Sequence, residues 1–236
     1  MKKTILSILT ITAALTLTAL TTPATASLVT AIDNTTLTTD IGQNFYRYPR
    51  YVAFQTGSNS ASINSLTFKF GLTAAGSSSG TFAAHLYAVD ATNMPTGSPL
   101  ASQTGMAYSL FGPGFTFDIT YTGADIANLS SFIMLSGQKY ALALDSENGN
   151  NTLYWGYKPG STLSDYTTGD GYTVLATGYS QGGVWGENAN RYMLKLETNS
   201  ASAVPEPSTY ALVSIGLVGL GYARKRMKKD EEIMAG

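Results

Sequence analysis

Apolar and polar residues alternate along most of the chain between residues 27 and 203. In Leu66-Thr67-Phe68-Lys69-Phe70, and again from Tyr192 to Leu196, the large apolar residues stand two positions apart. Side chains two apart lie on one face of a strand, so each run predicts a strand with one buried face. The pattern predicts eight strands: Tyr51–Gln55, Ile63–Thr73, Gly80–Val89, Phe115–Thr122, Lys139–Asp145, Thr152–Lys158, Tyr172–Thr177 and Arg191–Glu197.

Turn-forming residues separate these strands. Clusters of Gly, Pro, Ser and Asn occur at Ala75–Gly80, Met94–Pro99 and Asn148–Asn151, and we expect each cluster to form a turn or loop. Asp125–Leu129 predicts a single helical turn, and no other helix is indicated in this region. Short strands joined by such loops predict an all-β fold, a two-sheet antiparallel sandwich of jelly-roll type.

Residues 1–26 have the pattern of a secretory signal peptide. Two lysines, Lys2 and Lys3, precede an apolar run from Ile5 to Leu20, and the small residues Ala24 and Ala26 follow at the expected cleavage site. The apolar run is too short and too rich in threonine for a permanent membrane span. We therefore expect signal peptidase and the general export machinery as partners, and we leave this segment out of the fold.

The other end of the chain has three parts in order. Pro205-Glu206-Pro207 comes first, an apolar stretch from Tyr210 to Ala223 follows, and a basic cluster ends it, at Arg224, Lys225, Arg226, Lys228 and Lys229. A helix over the apolar stretch would reach about 21 Å, less than the ~30 Å hydrocarbon core. This length suits a transient signal in the inner membrane, with the basic cluster on the cytoplasmic side.

This arrangement resembles the PEP-CTERM sorting signal of Gram-negative bacteria, which an exosortase-type transpeptidase processes. The resemblance implies an exported protein of the cell envelope, cell surface or extracellular matrix, associated with exopolysaccharide or biofilm. The tail from Asp230 to Gly236 departs from the family pattern. The predicted organisation is a signal peptide at 1–26, a β-sandwich domain at 27–203, the sorting signal at 204–229 and a short polar tail at 230–236.

The middle of the chain is similar to the choice-of-anchor type of secreted domain. The similarity is carried by the order of His85-Leu86-Tyr87, Met94–Leu100, Gly137–Leu144 and Tyr154-Trp155-Gly156. It implies attachment to the cell surface and no particular chemistry.

Composition excludes several kinds of chemistry. The chain has no cysteine and one histidine, His85, so disulfides, thiolate metal sites and mechanisms with two histidines are excluded. Residues 27–203 contain seven Lys and Arg against eleven Asp and Glu, a formal charge of −4. Nucleic-acid binding needs basic patches, so we predict no nucleic-acid partner. We also predict that the protein needs no cofactor.

The alternative to a non-enzymatic protein is a secreted glycan-active enzyme, a glycoside hydrolase or lyase on a jelly-roll scaffold. Sugar hydrolysis requires only two carboxylates, and Asp145 and Glu187 could supply them, although no spacing in the sequence pairs them. Serine nucleophiles would need His85 as their base, and the chain has no Gly-x-Ser-x-Gly motif. We therefore predict that the protein is not an enzyme and that His85 is an ordinary sheet residue.

Four carboxylates in loops are weak candidates for a structural calcium ion: Asp145, Glu147, Asp165 and Asp170. Calcium prefers oxygen ligands, yet calcium loops normally gather more donors at closer spacing. The favoured interpretation is that these residues fix turns through their own backbone.

Aromatic residues give the best functional indication. Trp155, Tyr157, Tyr179 and Trp185 lie in the C-terminal third, and a cluster at 46–51 could add to them. Sugar rings stack on exposed Trp and Tyr, so these residues are candidate contacts to extracellular polysaccharide. Core packing is the favoured alternative, with Trp155 expected to point inward and Trp185, in a glycine-rich loop, expected to be the most exposed.

Overall fold

The computed structural model describes residues 27–37, 42–44, 48–72, 79–110, 114–147, 153–160 and 162–200. All of them belong to one compact unit, Ala26–Ala201. The predicted signal peptide, with Ala24 and Ala26, and the predicted sorting signal, with Pro205, Glu206, Pro207, Arg224, Lys225 and Arg226, lie outside the described residues.

The described residues form two antiparallel β-sheets. The strands are β1 (Ser27–Asp33), β2 (Gly42–Asn44), β3 (Arg50–Gln55), β4 (Ala61–Leu72), β5 (Ser79–Val89), β6 (Pro95–Ser109), β7 (Gly114–Thr122), β8 (Ile133–Met134), β9 (Lys139–Ser146), β10 (Leu153–Lys158), β11 (Thr167–Thr168), β12 (Thr173–Gln181), β13 (Val184–Glu187), β14 (Arg191–Tyr192) and β15 (Leu194–Ser200). The first sheet has the order β11-β1-β15-β4-β10-β14, with β2, β7 and β8 paired beside it. The second sheet has the order β13-β12-β3-β9-β5-β6.

Eight strands reproduce the jelly-roll arrangement. The pairings give β2-β10-β4-β7 in the first sheet and β3-β9-β5-β6 in the second, and the chain passes between the sheets at most connections. Additional strands extend this unit, since β12 adds to β3 and β15 adds to β4. The predicted two-sheet antiparallel sandwich is therefore confirmed.

The core lies between the inner faces of the two sheets. Phe68 and Phe70 of β4 pack on Phe82 of β5, with ring centroids 6.0 Å and 5.2 Å apart. Trp155 of β10 is fully buried and stacks on Tyr192 at 4.9 Å. Rings of this size bury much apolar surface each, and their edge-to-face and stacked contacts favour one packing arrangement.

Within the first sheet, β4 and β10 pair at one end and diverge at the other, and the segment β14–β15 lies between them. We call this point of divergence the fork. Met193 joins the three strands: its N–H donates to the carbonyl of Gly156 at 2.9 Å, and its carbonyl accepts the N–H of Lys69 at 3.3 Å. The indole Nε1 of Trp155 donates to the same carbonyl at 2.7 Å. These bonds satisfy backbone groups that the fork would otherwise leave unpaired in the core.

All eight predicted strands are present, with boundaries that differ by a few residues. The helical turn is also confirmed, as a 3-10 turn at Gly123–Ile126 followed by a short helix, α1, at Ala127–Ser130. The structure adds a 3-10 turn at Leu163–Asp165 that the sequence did not indicate. In the described part of the chain, no helix is long and apolar enough to cross a membrane.

The prediction of a turn at Met94–Pro99 was wrong in part, because Pro95 begins a fifteen-residue strand, β6. The register shows why turn formers occur there: Thr96 pairs with Ala88 and Ala101 pairs with Leu86, so residues 97–100 bulge outward opposite Tyr87. Proline has no backbone N–H to donate to a neighbouring strand. Because β6 is the edge strand of the second sheet, no strand lies on its outer side to need such a donor.

Candidate functional site

Three aromatic side chains lie together on the outer face of the second sheet, and we call them the aromatic patch: Tyr51, Tyr87 and Trp185. The indole of Trp185 meets both tyrosine rings edge to face, with centroids 5.5 Å apart in each case. Tyr51 comes from β3, Tyr87 from β5 and Trp185 from β13. The patch therefore joins strands from across the second sheet.

Small residues form the floor beneath the aromatic patch. Ala53, Ala141, Ala143 and Ala176 point to the outer face at the centre of the sheet, and all are at most 1% exposed. Their methyl groups leave room for the Trp185 indole to lie over the sheet and reach Tyr87, four strands away in the sheet order. Larger residues here would displace the indole.

Trp185 is positioned by the β12–β13 hairpin. Its turn has Gly182 and Gly183 at φ +61° and +82°, the positive values that a two-residue type I′ turn requires. Ser180 pairs with Trp185 and Gly178 pairs with Glu187. Gly178, on the β12 strand of the hairpin, lies against Tyr51: a Cβ there would overlap the carbonyl oxygen of Gly186 and stand 2.6 Å from Cε1 of Tyr51. The close approach needs glycine.

The Tyr51 hydroxyl is buried beneath this hairpin without a hydrogen-bond partner among the described residues. The whole side chain is 0% exposed. Burial, and then the charges of Glu187 and Asp90, raise the pKa of Tyr51 above its ordinary value, so the hydroxyl stays protonated. A buried unpaired hydroxyl is uncommon and costs free energy of folding.

Polar residues border the patch on the β5–β6 side. His85 stands two residues before Tyr87 on the same face, and its Nδ1 shares a 2.8 Å hydrogen bond with the hydroxyl of Ser102. Burial lowers the pKa of His85, while the carboxylates of Asp145 and Glu147 act in the opposite direction. Burial also raises the pKa of Asp145, against the hydrogen bond from the Ser146 N–H.

The structure separates the four aromatic residues that the sequence singled out. Trp155 is 0% exposed with its indole N–H already bonded, so it is a core residue, and its place among the candidate glycan contacts was wrong. Trp185 is partly buried by the two tyrosines, whereas its neighbour Val184 is 73% exposed. Trp185, which we expected to be the most exposed of these aromatic residues, is of intermediate exposure, as Tyr157 and Tyr179 are.

Tyr157 and Tyr179 lie away from the patch. Tyr157 packs against Tyr192, with centroids 6.2 Å apart. Tyr179 meets Tyr48 edge to face at 6.1 Å, and the Arg50 guanidinium lies over both rings, 5.1 Å from the Tyr179 centroid and 5.7 Å from the Tyr48 centroid. Of the predicted cluster at 46–51, only Tyr51 belongs to the patch, and residues 46 and 47 lie outside the described part.

The carboxylates considered for calcium do not converge. Within the described ranges, no group of three or more His, Cys, Asp or Glu side chains could hold a metal ion. Glu147 accepts the Gly105 N–H at 2.8 Å, Asp165 lies 4.0 Å from the Lys158 ammonium, and Asp170 occupies a turn at φ +52°. Asp170 therefore lies in a turn, as the sequence favoured, whereas Glu147 and Asp165 contact groups on β6 and β10 instead of their own backbone.

The carboxylates considered for catalysis, Asp145 and Glu187, are on β9 and β13, with β12 and β3 between them. At about 4.8 Å per strand the backbones of β9 and β13 are roughly 14 Å apart, and neither carboxylate contacts the other among the described interactions. The geometry does not support the pairing.

Sequence reasoning missed Tyr87 as part of the site. Tyr87 sits in the alternating pattern of β5, where His85 and Val89 share its face, but nothing local shows that this face meets Trp185 almost a hundred residues later. The register between β3, β9 and β5 makes the connection.

The described residues thus define a jelly-roll β-sandwich with an aromatic patch on one outer face. Residues 203–226 match the family model of the PEP-CTERM protein-sorting motif. The chain carries this sorting motif, as its terminal sequence predicted, and the motif indicates an exported, envelope-associated protein that is sorted by its C-terminus through exosortase-type processing.

No curated protein matches the chain. Among solved structures, the clostridial cysteine protease Cwp84 after propeptide cleavage is similar at 13% identity and a TM-score of 0.41, over 68% of this chain and 37% of that one. A CocE/NonD family hydrolase from Staphylococcus aureus is similar at 8% identity and a TM-score of 0.31, over 75% of this chain and 37% of that one. The chain spans little more than a third of either structure, and TM-scores this low do not define a shared fold.

Proposed function

We propose that the chain is a non-enzymatic protein of the cell surface or extracellular matrix that binds polysaccharide through the aromatic patch. The observation that carries the proposal is the pair of partly exposed rings, Tyr87 and Trp185, fixed edge to face on a rigid sheet. Sugar rings present apolar C–H faces that pack on aromatic rings, and rings held in place by a sheet lose little entropy when they bind.

The surroundings of Tyr87 fit a sugar ligand. Residues 97–100 bulge away from β5, so Tyr87 has no register partner on β6. His85, Ser102 and Asp145 border the same face and offer donors and acceptors for sugar hydroxyls. A few polar groups beside an apolar surface are typical of small-ligand sites.

The sorting motif supports the location. A protein that crosses the inner membrane and is processed by an exosortase-type enzyme reaches the envelope, where exopolysaccharide of a Gram-negative biofilm is the available polymer.

The test is affinity electrophoresis of the purified full-length protein in gels containing single polysaccharides. Tyr87→Ala and Trp185→Ala should each weaken retardation at least tenfold, about 1.4 kcal/mol of binding free energy. Tyr179→Ala removes an aromatic ring outside the patch and should bind as the wild type does. Calcium chelation should leave binding unchanged, because the proposed contacts include no metal.

The same preparations distinguish the enzyme alternative. A non-enzymatic binder releases no new sugar ends from a retained polymer. Release that stops with Asp145→Asn or Glu187→Gln would contradict the proposal and support a glycan-active enzyme. If only Tyr179→Ala loses binding, the polysaccharide binds at the Tyr48–Arg50–Tyr179 cluster and not at the aromatic patch.

A further inference from the structure

Four carboxylates surround the aromatic patch. Glu187 shares a row across the second sheet with Gly178, Tyr51, Ala143 and His85, as the strand registers show. Asp145 lies on the same face, two residues after Ala143, and pairs with Ala83. Glu147 follows two residues later. Asp90 comes directly after β5, at the opposite end of the face. We call these residues the acidic border: Asp90, Asp145, Glu147 and Glu187.

The charges of three members of the acidic border act on the tyrosines of the patch, and that of Glu147 acts on His85. Glu187 and Asp90 add to burial in raising the pKa of Tyr51, and Asp145 does the same for Tyr87. The strand registers independently place Glu187 and Asp145 on the same face as Tyr51 and Tyr87.

No described residue forms a salt bridge with any member of the acidic border. The described salt bridges are Lys69–Asp118, Lys158–Asp165 and Lys195–Glu197. Lys139 is the nearby cation; its Nζ donates to Oδ1 of Asn93 at 2.9 Å, and its charge lowers the pKa of Asp90. The face therefore keeps an excess of negative charge around an apolar centre.

The Tyr51 hydroxyl is a second, independent indication of a ligand. It is fully buried under the β12–β13 hairpin, on the Glu187 side of the patch, and has no partner. β13 is a four-residue edge strand that pairs only with β12. A hydrogen bond to a ligand group that reached the hydroxyl at the edge of this hairpin would satisfy it.

We propose that the polysaccharide bound at the aromatic patch carries primary amines, as a partly de-N-acetylated hexosamine polymer does. This inference rests on the proposed function. Ammonium groups are attracted to the acidic border and also to the faces of Tyr and Trp rings. The Tyr51 hydroxyl accepts a hydrogen bond from such a donor. Uronate polymers meet the acidic border as like charges and are rejected.

The test measures binding of the full-length protein to three oligosaccharide probes of equal length by calorimetry. The probes are glucosamine oligomers, fully N-acetylated glucosamine oligomers and oligouronates, at a pH where the amines are charged. The expected order is at least tenfold tighter binding of the amine-bearing probe than of the N-acetylated probe, and no binding of the uronate.

Variants separate specific binding from general charge attraction. Asp145→Asn and Glu187→Gln should each lower the affinity for the amine-bearing probe three- to tenfold. Asp125→Asn makes the same charge change on the exposed turn before α1 and should have no effect. Tyr51→Phe should weaken binding by a similar factor while the melting temperature stays the same or rises, because it removes an unpaired buried hydroxyl. A purely structural tyrosine would change stability and leave affinity unaltered.

Each other result has a distinct meaning. Equal affinity for the amine-bearing and N-acetylated probes overturns this inference and leaves the proposed function standing. Tighter binding of the uronate overturns it as well. An equal loss in Asp125→Asn shows nonspecific attraction and also overturns it. If no probe binds in calorimetry and no polysaccharide retards the protein in the gels, the proposed function itself is overturned.

Discussion

Asn34 shows how much of the fold depends on single buried polar side chains. Its Oδ1 accepts the Leu194 N–H at 2.8 Å and its Nδ2 donates to the Tyr192 carbonyl at 3.1 Å. It is 1% exposed and joins the end of β1 to the fork of the first sheet. The sequence could not indicate this role, because Asn34 reads locally as a turn residue and its partners are about 160 positions away.

Asn34→Ala should lower the free energy of unfolding by about 2–3 kcal/mol, since it leaves a buried backbone N–H without a partner. Urea denaturation followed by circular dichroism measures the change. Asn64→Ala is the control: its Oδ1 accepts a 3.1 Å bond from Asn199 at a partly exposed site, so the loss should be small. Equal losses in the two variants would contradict the role assigned to Asn34.

His85 gives the protein a predictable dependence on pH. Burial holds its pKa below the ordinary value of 6.5. Between that lowered native pKa and pH 6.5, the folded protein therefore binds fewer protons than the unfolded chain. Stability should therefore fall as the pH drops from about 6.5 through the native pKa. Asp145, whose native pKa is raised from 3.8, acts with the opposite sign at lower pH.

The corresponding measurement is the free energy of unfolding of wild type and His85→Gln between pH 7.5 and about 5. The wild type should lose stability over this range, and the variant should lose less because it lacks the titrating group. Parallel curves for the two proteins would show that His85 does not titrate differently in the folded state.

At the scale of elements, the β12–β13 hairpin is the part that makes the aromatic patch. Gly178→Ala should displace β13 from its place against Tyr51, because the added methyl group has no space against Gly186 and Tyr51. The expected results are a lower melting temperature and greater quenching of Trp185 by acrylamide, while buried Trp155 stays protected. Gly186→Ala adds the same methyl where nothing lies within 4 Å and should change neither reading.

The strands that the sequence predicts are those with clear two-residue alternation, such as β4 and β15. The strands it missed lack this signal for physical reasons. β6 is an edge strand whose prolines and glycines resemble a turn, and β13 is short and follows two glycines. The aromatic patch could not be predicted, because it depends on register between strands far apart in sequence.

At the scale of the whole molecule, folding and sorting belong to different parts of the chain. The sandwich occupies the middle, and the matched sorting motif begins at residue 203, after β15 ends at Ser200. The basic residues are concentrated in the terminal segments, which leaves the sandwich with a net negative charge. The C-terminal sorting motif, which is local in sequence, could therefore be predicted without the structure.

The most direct test of the central claim is the intact mass of the native protein, measured after fractionation of its own cells. We expect a protein in the envelope or matrix fraction that lacks residues 1–26 and the stretch beyond Pro207. A protein in the inner membrane that still ends at Gly236 would contradict C-terminal sorting and remove the main support for a role in the matrix.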